Sequence, residues 1–201
     1  MDYMFKEQKI NFWHLTIVFF VFSFIGWAYE IVLGLILGYV CDPGFCVGPY
    51  LAVYGITIVS VYLLLGSRKD RRGIIKIITE YKPTMVIMKT LDYMLASGVI
   101  VTLVELFAAS ILHVNFNVRL WDYSVLPYNY RGYISLPSSL LWIVLIPLIM
   151  FIGFDFVHER IKKIPNKLSK LLGIILISLF IIDIIFNVSS ILINGYSFRF
   201  V

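Results

Sequence analysis

Five runs of apolar residues, each long enough to cross a bilayer, decide what this chain can fold into. They cover about residues 12–38, 47–66, 91–113, 138–160 and 171–193. A spanning helix needs about 20 mostly apolar residues to cross a hydrocarbon layer ~30 Å thick. Within that layer every backbone N–H and C=O must find a partner inside the protein, which leaves only helices or closed barrels. The runs are continuous and lack the in–out alternation of a lipid-facing strand, which excludes a barrel. The expectation is an all-α, polytopic transmembrane bundle of about five spans, forming one integral membrane domain over residues 1–201. Composition agrees: 60% of residues are hydrophobic and 14% charged, against about 45–50% and about 25% in soluble domains. The first run far exceeds the roughly 7–15 residues of a signal-peptide core and has no small-x-small cleavage site, so it reads as a retained span.

The basic residues set an expected orientation. Lys6 and Lys9 precede the first span, seven Lys or Arg lie in the 67–90 loop, and five lie between Arg160 and Lys170. Only Arg119, Arg131 and Arg199 fall on the other side. Cytoplasmic loops carry the excess of Lys and Arg, so the N-terminus is expected in the cytoplasm. This also accounts for the net charge of +5. No RNA- or DNA-binding signature interrupts the spans, and no nucleic-acid partner is expected. In the 67–90 loop, Ile74, Ile75, Ile77 and Ile78 among Arg72, Lys76 and Lys82 suit a short interfacial helix ended by Pro83. It would lie on anionic lipid or dock a cytosolic partner. Cys41 and Cys46 share one short outer loop. A disulfide and two free thiols are both open there, and their spacing alone is weak evidence for metal.

Three carboxylates break the rules of the membrane: Glu30, Glu105 and Asp183. On insertion scales an acid at a helix centre costs at least about 2.5–3.5 kcal/mol. At 1.5 Å of rise per residue they lie about 7.5, 4.5 and 1.5 Å outward of their span centres, in one shallow layer on three parallel helices. Each sits on a small or polar stripe: Gly26, Glu30, Gly34, Gly38; Gly98, Thr102, Glu105, Ala109; and Asp183, Asn187, Ser190, Asn194. Spacings of three and four put such residues on one helix face. These faces are expected to turn inward and form either a site for a cation, a proton or an amine, or hydrogen-bonded packing elements.

No motif points to catalysis, a cofactor or a metal. There is no P-loop, no G-x-S-x-G and no His/Cys/Asp/Glu spacing suited to zinc. Asp155, His158, Glu159 and Arg160 read as an interfacial cluster at the end of the fourth span. His14 and His113 stand alone near span ends.

Two outer segments are dense in Gly, Pro and aromatics. Pro43-Gly44-Phe45-Cys46-Val47-Gly48-Pro49-Tyr50 runs into Val53-Tyr54-Gly55, and Gly48-Pro49 at the mouth of the second span predicts an irregular or late-starting helix. The second segment carries Trp121-Asp122-Tyr123-Ser124, then Asn129 and Arg131-Gly132. Trp and Tyr at this level suit an interfacial belt. Asp122 and Arg131 do not, and Arg131 is the nearest candidate partner for the buried acids or for an anionic group on a ligand.

These residues carry a resemblance. Ser23-Phe24-Ile25-Gly26-Trp27 with Glu30, Gly48-Pro49 with Tyr54-Gly55, and Trp121-Asp122-Tyr123-Ser124 with Asn129 and Gly132 resemble the type IV ABC-transporter permease family of bacterial membrane proteins. Glu105 and Asp183 fit its acids in the third and last spans. Pro43 stands where that family usually has Arg, and Ala52-Val53-Tyr54-Gly55 where it usually has Pro-Ile-Tyr-Gly. Without that Arg, a counter-charge for Glu30 would have to come from Arg131. The resemblance implies a permease-like component of the bacterial cytoplasmic membrane, with a polar site at Glu30, Glu105 and Asp183. Its outer lid would comprise Gly48-Pro49 and Trp121–Gly132, with a separate ATPase or a second copy as partner. A membrane enzyme acting on a lipid-linked or envelope substrate, with the carboxylates as acid and base, and a structural or regulatory subunit are the rival readings.

Overall fold

The computed structural model describes residues 10–38, 44–67 and 86–196. The expected interfacial helix at 72–83 and the pairing of Cys41 with Cys46 lie outside them. Five helices alternate in direction: α1 (Phe12–Leu37), α2 (Ala52–Leu65), α3 (Val86–Phe116), α4 (Leu136–Ile161) and α5 (Asn166–Asn194). Four are long and apolar enough to span a membrane, and α2 is the short exception. The chain is a multi-pass membrane protein.

Side chains set the helix ends. Asn11 caps α1 by accepting from the His14 N–H at 3.0 Å, while His14 Nδ1 accepts from the Asn11 N–H. Ser135 and Ser138 form the same reciprocal box at the start of α4. Such boxes satisfy two of the orphan donors of a first turn. Within α4, Pro147 removes one rung of the hydrogen-bond ladder, and a π-helical stretch follows at Ile149–Phe154. Proline and π turns are the usual causes of a break in helix regularity.

The helices pack in the order α5, α1, α2, α3, α4, and the last turns of α4 return to α1. One end of the bundle gathers the start of α1, the end of α2 and the α4–α5 turn. There Asn11 donates to Asn166, fully buried His14 reaches the Ile164 carbonyl at 2.9 Å, and Tyr93 donates to the Gly66 carbonyl. This end carries Lys89, Arg160, Lys162, Lys163, Lys167 and Lys170, and is called the basic end below.

The basic-end half holds the dense core. Val18, Val61, Tyr62, Met150 and Phe154 are fully buried. The Phe154 ring stacks on Phe22 and lies 4.8 Å from Tyr62. α1 and α2 approach closely because Gly26 faces the Tyr54 ring and Gly55 faces Ser23 and the Phe19 carbonyl. A Cβ at either glycine would overlap those atoms. Asp155 and His158, expected at the interface, are instead buried in this half, with His158 against Tyr62 and Phe154. They sit on the inward face of α4, one turn apart, so the bundle covers them.

Candidate functional site

α2 begins only at Ala52, so its 14 residues reach about 21 Å, short of a hydrocarbon layer of ~30 Å. The chain before it, residues 44–50, is irregular. Irregular backbone at membrane depth must be satisfied by protein, and α5 does this. Asp183 accepts from the Val47 N–H at 2.9 Å, the Gly48 N–H at 2.8 Å and the Tyr50 hydroxyl. One turn on, Asn187 Nδ2 donates to the Phe45 carbonyl at 2.6 Å. The Ser190 hydroxyl then donates to the Tyr196 carbonyl. The polar stripe of α5 is thus a rail of partners for irregular chain. Pro49, which has no N–H to satisfy, lies exposed on this segment.

The other two acids meet elsewhere. Glu30 on α1 and Glu105 on α3 line one cavity of about 320 Å³, together with Tyr54 and Ile58 of α2, Trp142 and Ile146 of α4, and Trp121 and Tyr123 of the α3–α4 connection. Glu30 accepts from the Tyr54 hydroxyl at 2.7 Å. Glu105 Oε1 accepts from Trp142 Nε1 at 2.8 Å and from the Tyr123 hydroxyl at 3.3 Å. Glu105 is only 5% exposed, and its Oε2 has no hydrogen-bond partner. No Lys, Arg or His is among the residues lining the cavity. The cavity therefore combines two carboxylates, neutral donors, aromatic walls and one unused buried acceptor.

The connection between α3 and α4 covers the loop end of this cavity. Asn129–Tyr130 and Ile134–Ser135 form a small antiparallel pair. Its turn places Arg131 and Gly132 at φ 54° and 73°, a region in which glycine is at ease and other residues are uncommon. A Cβ on Gly132 would also overlap Asp122 Oδ1. Asn129 ties the turn, donating to the Ser124 and Leu126 carbonyls and accepting from the Gly132 N–H. Trp121 Nε1 donates to the Tyr133 carbonyl at 2.8 Å, and the Tyr123 N–H to the Gly132 carbonyl at 2.9 Å. Trp121 and Tyr123 point into the cavity, while Asp122 between them is exposed.

Asp122 accepts from the Ser124 N–H at 2.9 Å and forms an ion pair with Arg119 at 3.0 Å. Hydrogen bonding at Ser124, then the Arg119 charge, holds its carboxyl below the usual carboxylate range. Arg131, the expected partner of the buried acids, instead sits at the hairpin tip with its guanidinium 5.6 Å from the Tyr130 ring. Among the described residues it forms no ion pair with Glu30, Glu105 or Asp183.

Of the expected site residues, the structure therefore gathers Glu30, Glu105, Tyr54, Trp121 and Tyr123 around one cavity. It sets Asp183, Asp122, Asn129 and Arg131 outside it. Trp27 stacks on Phe24 and is not part of the lining. Trp142 was missed by sequence reasoning. The available signal was an indole N–H inside an apolar run, which needs an acceptor when buried.

A family model described as "Putative ABC-transporter type IV" matches residues 17–188. No curated protein and no solved structure matches the chain.

Proposed function

The chain belongs to the type IV ABC-transporter family matched above, and we propose that it is the membrane-embedded component of a transport system whose cavity binds a positively charged group at Glu30 and Glu105. The observation that carries this reading is Glu105 Oε2, a buried carboxylate oxygen left without a partner beside a space of about 320 Å³. Burying an unpaired acceptor is costly, and at Glu105, unlike at the equally unpartnered Asp155 in the core, the oxygen adjoins a space that can hold a donor. A cation or protonated amine in the cavity would supply the missing donor.

In this reading Asp183 is a positioning residue. It fixes the 44–50 segment and, through Tyr50 and Leu51, the start of α2 on which Tyr54 stands. The Trp121–Gly132 connection is the lid. We place the basic end in the cytoplasm of a bacterial inner membrane, where the 67–90 loop would meet a separate ATPase. No P-loop occurs in these 201 residues, so an ABC role would need an ATPase encoded elsewhere. Five helices are few for a whole pathway, which favours assembly with a second copy or another membrane subunit.

Ligand binding raises native-state stability by mass action. The test is thermal unfolding of the purified protein with and without organic amines. Amine-dependent stabilisation of the wild type that disappears in Glu105→Gln and Glu30→Gln supports the site. An equal response in all three proteins refutes it.

A further inference from the structure

The cavity is covered at its axial end but not at its side. Trp121 and Tyr123 close the loop end and are held by hydrogen bonds to Tyr133 and Gly132. α4 packs on α1 through its last turns, Asp155–Ile161, and through the Phe154–Phe22 stack. Nearer the loop end the cavity fills the space between these two helices. There, Ile25 and Tyr29 of α1 line the cavity and are 46% and 47% exposed, so no neighbouring helix covers this stretch of its wall. In a bilayer an opening between two outer helices of a bundle faces lipid.

A space of about 320 Å³ lies at the lower end of ligand pockets, which run from about 300 to 1,000 Å³. It accepts a head group but not a long hydrocarbon chain. The chemistry inside suits a monovalent amine, with two carboxylates for charge and four aromatic rings, Tyr54, Trp121, Tyr123 and Trp142, for cation–π contact. Resting on the reading of Glu30 and Glu105 as a cation site, we infer that the ligand is a membrane-partitioned amphiphile. Its protonated amine enters sideways between α1 and α4 while its alkyl tail stays in the bilayer.

The test uses the full chain in lipid nanodiscs, with dodecylamine and butylamine as probes and thermal unfolding as the readout. Dodecylamine is expected to raise the midpoint, and butylamine at the same concentration to leave it unmoved. Each added methylene held in the apolar phase should tighten binding about fourfold. Ile25→Trp fills the side opening at a lipid-facing position and is expected to abolish the dodecylamine response. Tyr29→Trp is the second blocking variant should the first not fold. Glu105→Gln and Glu30→Gln are expected to abolish it too. If both amines stabilise alike and neither blocking variant alters the response, the ligand enters from water; the sideways route is then overturned while the amine site stands. If neither amine acts, or dodecylamine acts equally on both Glu→Gln variants, the amine site itself falls and the route with it.

Discussion

Two carboxylates in this bundle, one buried and one half-buried, should answer substitution with opposite signs. Asp183 accepts three hydrogen bonds, two of them from the backbone of an irregular segment. Asp183→Ala strands those half-buried donors at membrane depth. At about 1–3 kcal/mol for each buried group left unsatisfied, and nearer ~0.6 kcal/mol for an average polar contact between membrane helices, the loss is about 2–5 kcal/mol. Asp183→Asn keeps one oxygen and turns an amide towards the donors, so it recovers about half of that loss at most. Glu105→Gln is the contrasting case. Its oxygen can still accept from Trp142 and Tyr123, while the partnerless carboxylate oxygen is replaced by a neutral amide. The expected change lies between zero and a gain of about 1 kcal/mol, as when a functional charge is removed. The assay is reversible unfolding in mixed micelles. A loss below about 0.5 kcal/mol for Asp183→Ala, or a loss above about 2 kcal/mol for Glu105→Gln, would refute this division into a structural and a functional acid.

Three further outcomes are expected. Gly55→Val should drive side-chain atoms into Ser23 and the Phe19 carbonyl, costing about 1–3 kcal/mol by overpacking, measured by thermal unfolding against Gly153→Ala, whose Cβ meets nothing within 4 Å. Trp142→Phe leaves a smaller aromatic ring without the N–H that holds Glu105 Oε1 in place, and should weaken amine-dependent stabilisation by at most about tenfold in affinity, the worth of one hydrogen bond to a charged group at about 1.5 kcal/mol. Asp122 has a lowered pKa in the folded lid, so its contribution is complete above the ordinary carboxylate range and fades as pH falls through the lowered value. Acid titration followed by Trp121 fluorescence should show that transition in the wild type and not in Asp122→Asn.

The spans were legible because lipid leaves the backbone so little choice. Their ends were less so. Hydropathy stops the fifth span at about 171, whereas α5 starts at Asn166 and keeps Lys167 and Lys170. Long basic side chains lie along a helix and send their charge to the interface. The late start of α2 was readable from Gly48-Pro49, since Pro donates no backbone bond. Reckoning by depth alone put Glu30, Glu105 and Asp183 in one layer, but equal depth does not fix which helices are neighbours. α5 packs on α1 away from α3, which separates Asp183 from the other two. Arg119 won Asp122 from Arg131 because three residues of chain bring it within reach, while Arg131 is committed to a tight turn. Burial of Asp155 and His158 depends on which face α4 turns inward beyond its π-helical stretch, and no periodic signal marks that.

The broken segment before α2 also has a history in time. Val47 and Asp183 are 136 residues apart, so at roughly 5–20 residues per second of synthesis the amides of residues 47 and 48 precede their acceptor by about 7–27 s. Until α5 is made, those amides must stay near water or be held by a helper. The segment before the second helix can therefore settle only after the fifth helix has emerged, and nascent chains cut before Asp183 should leave residues 44–50 open to protease.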